Sequence, residues 1–235
     1  MRYLFLIILC FIISGASARS QETAPEKRGY IGFSIGPAIP LGEFGSKDIY
    51  RDYSGFAKTG ISLQVVNFGY RIGKNLGVAG MWSGASFAFD EEALRSASNL
   101  SSIYINIGSY GYSSLMGGLF VSIPTPLVDF DFRAMIGFGY GMIPETHISG
   151  YNYVGTYGSI SQSSSDAIAI AGDLGVGARF NLTQLINFNL FIDYMSCRPE
   201  FSIDYYEGGE YEGTASYEQP MDHLTITAGM GFRLN

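Results

Sequence analysis

Residues 129–142 read DFDFRAMIGFGYGM, and no other stretch constrains this chain as much. The even positions (Phe130, Phe132, Ala134, Ile136, Phe138, Tyr140, Met142) are apolar throughout. The odd positions (Asp129, Asp131, Arg133, Met135, Gly137, Gly139, Gly141) are charged at one end and nearly bare at the other. A period of two is the mark of a β-strand. A water-soluble sheet would turn the bulky face inward and give the outer face to charge. Here the non-apolar face is too small and too sparsely charged to coat a soluble protein, so this strand reads as inside-out.

The same alternation recurs in eight segments: 29–38, 60–72, 76–89, 112–123, 128–142, 167–181, 186–197 and 223–234. In the cleanest of them the apolar face carries no Asp, Glu, Lys or Arg. Ile168, Ile170, Leu174, Val176 and Phe180 oppose Ala169, Asp173, Gly175, Gly177 and Arg179. Leu224, Ile226, Met230, Phe232 and Leu234 oppose Thr225, Thr227, Gly229, Gly231 and Arg233. In 60–72 the apolar face switches phase after Val65, and one extra residue at Val65-Val66 would restore a single face. Segment 76–89 is mixed, and its faces are not assignable from the sequence.

Connection lengths alternate. Gly73 to Asn75, Pro124 to Leu127 and the stretch around Thr183-Gln184 are tight, whereas 39–59, 90–111, 143–166 and 198–222 are long and polar. Such long loops would be anomalous in a compact soluble domain. They are usual in a transmembrane barrel with short turns at one mouth and long loops at the other. The expectation is an all-β fold: an eight-stranded antiparallel up-and-down transmembrane β-barrel with short periplasmic turns and long extracellular loops. Closing the sheet satisfies every edge hydrogen bond, as hydrocarbon demands.

The first 18 residues fit this destination. Arg2, the apolar run Tyr3–Ile13 and the small-residue site Ala16-Ser17-Ala18 form a cleavable signal peptide, and the run falls short of the ~20 residues of a spanning helix. Residues 19–235 are expected to form the barrel domain. Cys197 would then be the one remaining thiol, filling a strand rather than acting as a nucleophile. The net charge of -7 and the lack of a Lys/Arg cluster interleaved with aromatics argue against nucleic acid. The 31 Gly, 17 Tyr and 17 Phe fit sheets with close backbone approach.

Three stretches carry a resemblance. The first strand GYIGFSIGPAIPLGEF (29–44), the hairpin GYRIGKNLGV (69–78) and the last strand TAGMGFRL (227–234) resemble the small outer-membrane β-barrel proteins of Gram-negative bacteria. This is the porin-family or PorT-like group, with OmpA- and OmpX-type barrels as architectural cousins. The resemblance implies a bacterial outer-membrane location. It also implies that Thr227, Gly229, Phe232 and Leu234 form the signal read by the barrel-assembly machinery, although Leu234 stands where an aromatic is usual and Asn235 follows it. A role as an accessory of envelope secretion is a further implication.

Seven inward-facing charges are candidates for an interior network: Arg71, Asp131, Arg133, Asp173, Arg179, Asp193 and Arg233. Arg71, Asp131, Arg179 and Arg233 fall toward the short turns, the other three nearer the middle. An eight-stranded barrel is just wide enough for side chains to fill, so opposite charges should pair. The first expectation is a polar plug closing the barrel. The second is a gate in which Arg133 exchanges Asp173 for Asp193 and opens a narrow pore.

His147 and His223 are the only histidines, near Glu145 and Asp222, and both read as solvated loop or rim residues. They supply too few ligands for a metal, and no enzyme, metal or cofactor is expected. The stretches 151–165 and 205–219 combine Tyr with Ser and Gly, a composition suited to recognition. They are the candidates for a surface ligand or protein partner. The acidic tips Glu207, Glu210, Glu212 and Glu218 could bridge to surface lipids through divalent cations. A monomer in contact with outer-membrane lipids, acting in structure or surface interaction, is the expected state.

Overall fold

The structure, a computed structural model, describes residues 27–97, 102–151 and 157–235. The signal-peptide expectation for 1–18 lies outside the described residues, as do positions 152–156 of the Tyr-rich stretch. No helix among the described residues is long and apolar enough to cross a membrane.

The alternating segments become β1 (Gly29–Pro40), β2 (Gly60–Arg71) and β3 (Leu76–Ala88), followed by one short helix, α1 (Glu91–Ala97), and β4 (Ser102–Ile107). Then come β5 (Ser109–Ile123), β6 (Val128–Ile143), β7 (Thr146–Tyr151), β8 (Tyr157–Gln162), β9 (Ser165–Asn181) and β10 (Ile186–Cys197). The chain ends with β11 (Glu200–Glu207), β12 (Glu210–Glu218) and β13 (His223–Leu234). Eight of these close a barrel in the order β1-β13-β10-β9-β6-β5-β3-β2, with every neighbour antiparallel. The seam joins the first strand to the last, from Gly29 opposite Leu234 to Pro40 opposite His223.

The short turns are held by local chemistry. Thr125 and Thr183 each cap a turn, their hydroxyls accepting the amides of Val128 (3.1 Å) and Ile186 (2.9 Å). The phase switch in β2 is a bulge: Gln64 pairs with Ser83 and Val66 with Trp82, leaving Val65 extra. Beyond it Val66, Phe68 and Tyr70 continue the outward face that Ile61, Leu63 and Val65 begin. The faces of β3 are defined as well, with Ala79, Met81, Ser83 and Phe87 inward and Val78 and Trp82 outward.

The apolar faces point outward on every barrel strand. Ile136 (66% exposed), Phe138 (68%), Ile168 (69%) and Ile170 (71%) belong to a continuous apolar belt. A soluble monomer exposes patches of only a few hundred Å², whereas a barrel in hydrocarbon must present such a belt. The bare inner positions have a steric reason. A Cβ on Gly175 would lie 2.0 Å from Asp193 Oδ1, and one on Gly177 would lie 2.3 Å from the Phe191 ring. The glycines make room for large partners on the facing wall.

The long loops depart from the sequence reading. Five short strands inside them pair as a second sheet, in the order β12-β11-β8-β7-β4. The hairpin of β6 and β9 runs on as β7 and β8 beyond the barrel rim, and β10 continues across Arg198-Pro199 into β11.

Candidate functional site

The barrel interior divides into two layers. In the layer toward the short turns, Arg133 donates through Nε and Nη2 to the two oxygens of Asp193 (2.9 and 2.7 Å) and through Nη1 to Asn67 Oδ1 (2.8 Å). Gln64 binds the same carboxylate at 2.8 Å and accepts from Ser34 and Asn67. Arg179 pairs with Asp131 through Nε and Nη2 (3.1 Å for the latter), lies 3.4 Å from Asp129, and donates to Ser122 at 3.2 Å. All of these side chains are buried.

Two aromatic rings join the ion pairs. The Arg133 guanidinium lies 4.2 Å over Phe191, Phe191 stacks on Tyr30 (6.3 Å between centroids), and Arg179 lies 4.2 Å over Tyr30. Arg133, Phe191, Tyr30 and Arg179 thus form one column in which each cation meets a ring face. Such contacts strengthen when water is excluded. Tyr30 also donates to Asn67 at 3.1 Å, tying the column to the neutral amides.

Asp173 stands apart. Its carboxylate lies 3.8 Å from Arg133 Nε, too far for a hydrogen bond, and neither oxygen has a hydrogen-bond partner among the described residues. The other two candidates sit nearer the short-turn mouth. Arg71 donates to the carbonyls of Lys27 (2.8 Å) and Lys74 (3.2 Å), and Arg233, half-buried, donates to the Thr183 carbonyl at 3.2 Å. Asn67, Gln64, Tyr30 and Phe191 are the members that charge-based reading of the sequence passes over. Only their place on the inner faces of β1, β2 and β10 marks them, with Asn67 lying just past the Val65 bulge.

The layer toward the long loops is mainly apolar, with Ser62, His223 and Thr225 among its buried polar members, so the charged groups fill only the other part of the plug's depth. Phe44, on the β1–β2 loop, packs edge-on to Phe87 (4.9 Å) and Tyr110 (5.2 Å) and is fully buried. Met221 enters from the β12–β13 loop, and Met195 and Cys197 fill the wall beside it. His223 corrects the sequence expectation of a solvated rim residue. It is buried between Phe87 (5.2 Å) and Tyr112 (5.0 Å), and Nδ1 donates to the Met221 carbonyl at 2.8 Å.

His147 lies on β7 in the second sheet, where Nδ1 meets the hydroxyl of its cross-strand neighbour Ser161 at 2.6 Å. No carboxylate orients that pair among the described residues, and none of them form a group of three or more His, Cys, Asp or Glu placed to hold a metal. The hairpin of β11 and β12 carries Glu207, Glu210, Glu212 and Glu218 at the free edge of the sheet, all exposed.

A closed antiparallel barrel with an even strand count, an apolar outer belt, short turns at one mouth and long loops at the other defines a small integral β-barrel of the bacterial outer membrane. No family model matches the chain, and no curated protein matches it. Solved structures similar to it include Ail, the attachment invasion locus protein of Yersinia pestis. Its identity is 20% over 88% of this chain and 99% of that one, with a TM-score of 0.42. Neisserial surface protein A is 14% identical over 88% of this chain and 97% of its own, with a TM-score of 0.43. The outer membrane protease OmpT from Escherichia coli is 11% identical over 92% of this chain and 100% of its own, with a TM-score of 0.47.

Proposed function

We propose that this protein is a closed surface-interaction barrel whose membrane-embedded part carries the second sheet as a docking platform outside the cell. The observation behind this reading is the free edge of β12, which ends a five-stranded sheet raised above the barrel rim. An edge strand offers unpaired backbone donors and acceptors to any extended segment. Glu210, Glu212 and Glu218 on β12, with Glu207 at the end of β11, select the occupant. Two copies meeting edge to edge would oppose carboxylates, whereas a basic extended peptide would find its counter-charges.

The test uses the refolded barrel in bilayer discs and a peptide alternating Lys and Val. Binding is expected with the wild-type protein, and the Glu210→Lys/Glu212→Lys variant should lose about tenfold in affinity. Equal binding by both proteins, or none by the wild type, would sink the reading.

A second reading, a narrow pore for small solutes, is favoured by one observation: Asp173 stands within 3.8 Å of Arg133 without a hydrogen bond of its own. Arg133 could release Asp193 for Asp173 and open a path beside it. Single-channel recording in a planar bilayer separates the two readings. The closed barrel is silent, and steady conductance in the wild type would establish the pore instead.

A further inference from the structure

Behind the second sheet, above the apolar plug, lies a cavity of about 260 Å³. It sits below the ~300 Å³ at which drug-sized pockets begin, so it has room for a single ring. Phe56, Phe89, Tyr205 and Tyr217 give it aromatic walls, and Gln162 and Thr146 give it a polar side. Phe56 and Phe89 stack on each other at 5.7 Å and 25° within that wall.

Its lining is chemically specific. Among the described residues, no Asp, Glu, Lys or Arg faces the cavity. The nearby Asp90 carboxylate is already paired with Lys47 and with Lys58 at 3.3 Å. A charged ligand would therefore enter without a counter-ion, which burial penalises. A purely apolar ligand would strand the polar side instead. The Gln162 amide and the Thr146 hydroxyl make no side-chain hydrogen bond among the described residues, whereas Tyr217 is already committed to Gln219 at 2.7 Å. Together the amide and hydroxyl offer three donors and two acceptor oxygens on one edge.

The backbone points the same way. Phe56 holds φ at 48° and Tyr53, whose ring packs 6.2 Å from Tyr217, holds φ at 62°. Bulky side chains rarely adopt this region, and such positions persist only where their surroundings enforce them. Phe56 is pinned on both sides: its amide donates to Ser46 (3.0 Å) and its carbonyl accepts from Asp90 (2.7 Å). The ring is thereby held in the cavity wall at the expense of the backbone.

We infer that this cavity binds one neutral, hydroxylated six-membered ring of the saccharide type. The C–H face of the ring lies on the aromatic wall to which Phe56, Phe89, Tyr205 and Tyr217 belong, and its hydroxyl edge meets Gln162 and Thr146. The site lies behind the sheet and not on its β12 edge, so it stands or falls independently of the peptide-docking reading.

Saturation-transfer NMR on the refolded full-length barrel in bilayer discs tests this with three probes: methyl glucoside, glucuronate and benzene. The glucoside is expected to receive saturation with a Kd on the order of 1 mM, as a ligand this small allows. Gln162→Ala should weaken it about fivefold, the effect of one lost hydrogen bond. Thr146→Val gives a second variant should the first fail to fold, with barrel closure checked by heat-modifiable gel migration. No transfer to the glucoside would overturn the inference. Unchanged transfer in a folded variant, or preference for benzene or glucuronate, would overturn it equally.

Discussion

The two layers of the barrel interior solve the same problem with opposite chemistry. Toward the short turns the space is filled by Arg133, Asp193, Arg179, Asp131 and their amide partners, all projecting from barrel strands. Toward the long loops it is filled by Phe44, Met221 and Phe87, two of which arrive on loops. A strand can supply only what its inward positions hold, and neighbouring strands fix where each group lies. Polar groups placed that rigidly can be matched one to one. A loop-borne ring has no such register, but an apolar contact needs none. Directional bonds sit where the backbone is stiff, and non-directional packing sits where it is not.

Removing Arg133 should do the most damage. Arg133→Ala leaves Asp193 and Asp173 buried without their cation, and loss of one partner from a buried pair costs about 3–5 kcal/mol. Urea unfolding of the refolded barrel measures it, and a loss below about 1 kcal/mol would mean that water already reaches the layer. Phe44→Ala comes next, at about 3 kcal/mol, near the low end for a buried Phe because its loop can settle into the space. If it costs more than Arg133→Ala, the apolar layer is the stiffer of the two.

Outside both layers, the Asp90 carboxyl is held down to about 2 by its hydrogen bond from Lys47, with Lys58 and the Ala93 amide assisting. Its contribution to tying the β1–β2 loop to the start of α1 is complete above the ordinary carboxylate value of 3.8. It is lost as pH falls through about 2. Lys47 and Lys58 are about half exposed, so screening limits the contribution to about 1 kcal/mol. Acid unfolding compared with Asp90→Asn checks it: the variant should lose that part of the slope, and parallel curves would remove Asp90 from the account.

Asp173→Asn should change stability by less than about 1 kcal/mol, because no hydrogen bond is lost and the buried charge removed is one that Arg133 meets only at 3.8 Å. A penalty like that of Arg133→Ala would mean that the 3.8 Å contact carries as much of the pairing as Asp193 does. The smallest effect belongs to the exposed pair of Arg198 and Glu218, 3.6 Å apart. Arg198→Ala should cost under about 0.5 kcal/mol, which thermal unfolding at two salt concentrations resolves.

The strands were legible wherever one face was uniformly apolar. β6, β9 and β13 could be bounded almost to the residue, and even the Val65 bulge showed as a change of phase. β3 was bounded as closely, but its faces were not assignable, because Gly80, Gly84, Ala79 and Ala85 leave both of them small. β8 (YGSISQ) and β12 (EYEGTASYE) hid for the opposite reason, being wetted on both faces with no period to read. The inward charges could be named from the sequence, but not their partners. Which carboxylate Arg133 meets depends on register between strands distant in the chain, since β6 pairs in the sheet with β9 and reaches β10 only across the barrel interior. His223 misled because proximity to a polar loop says nothing about Phe87 and Tyr112 closing over it.

The seam between β1 and β13 has a kinetic consequence. The earliest strand of the barrel waits for the latest, so this contact has the greatest sequence separation in the fold, and such contacts form slowly. Until then both strands carry open edges and unburied apolar faces, which invite pairing with other chains. Phe44 follows β1 and Met221 precedes β13, so both plugging groups flank the seam. Sealing the wall and stoppering the bore should therefore be one event. A chain truncated before β13 should fail to insert rather than form a leaky partial channel.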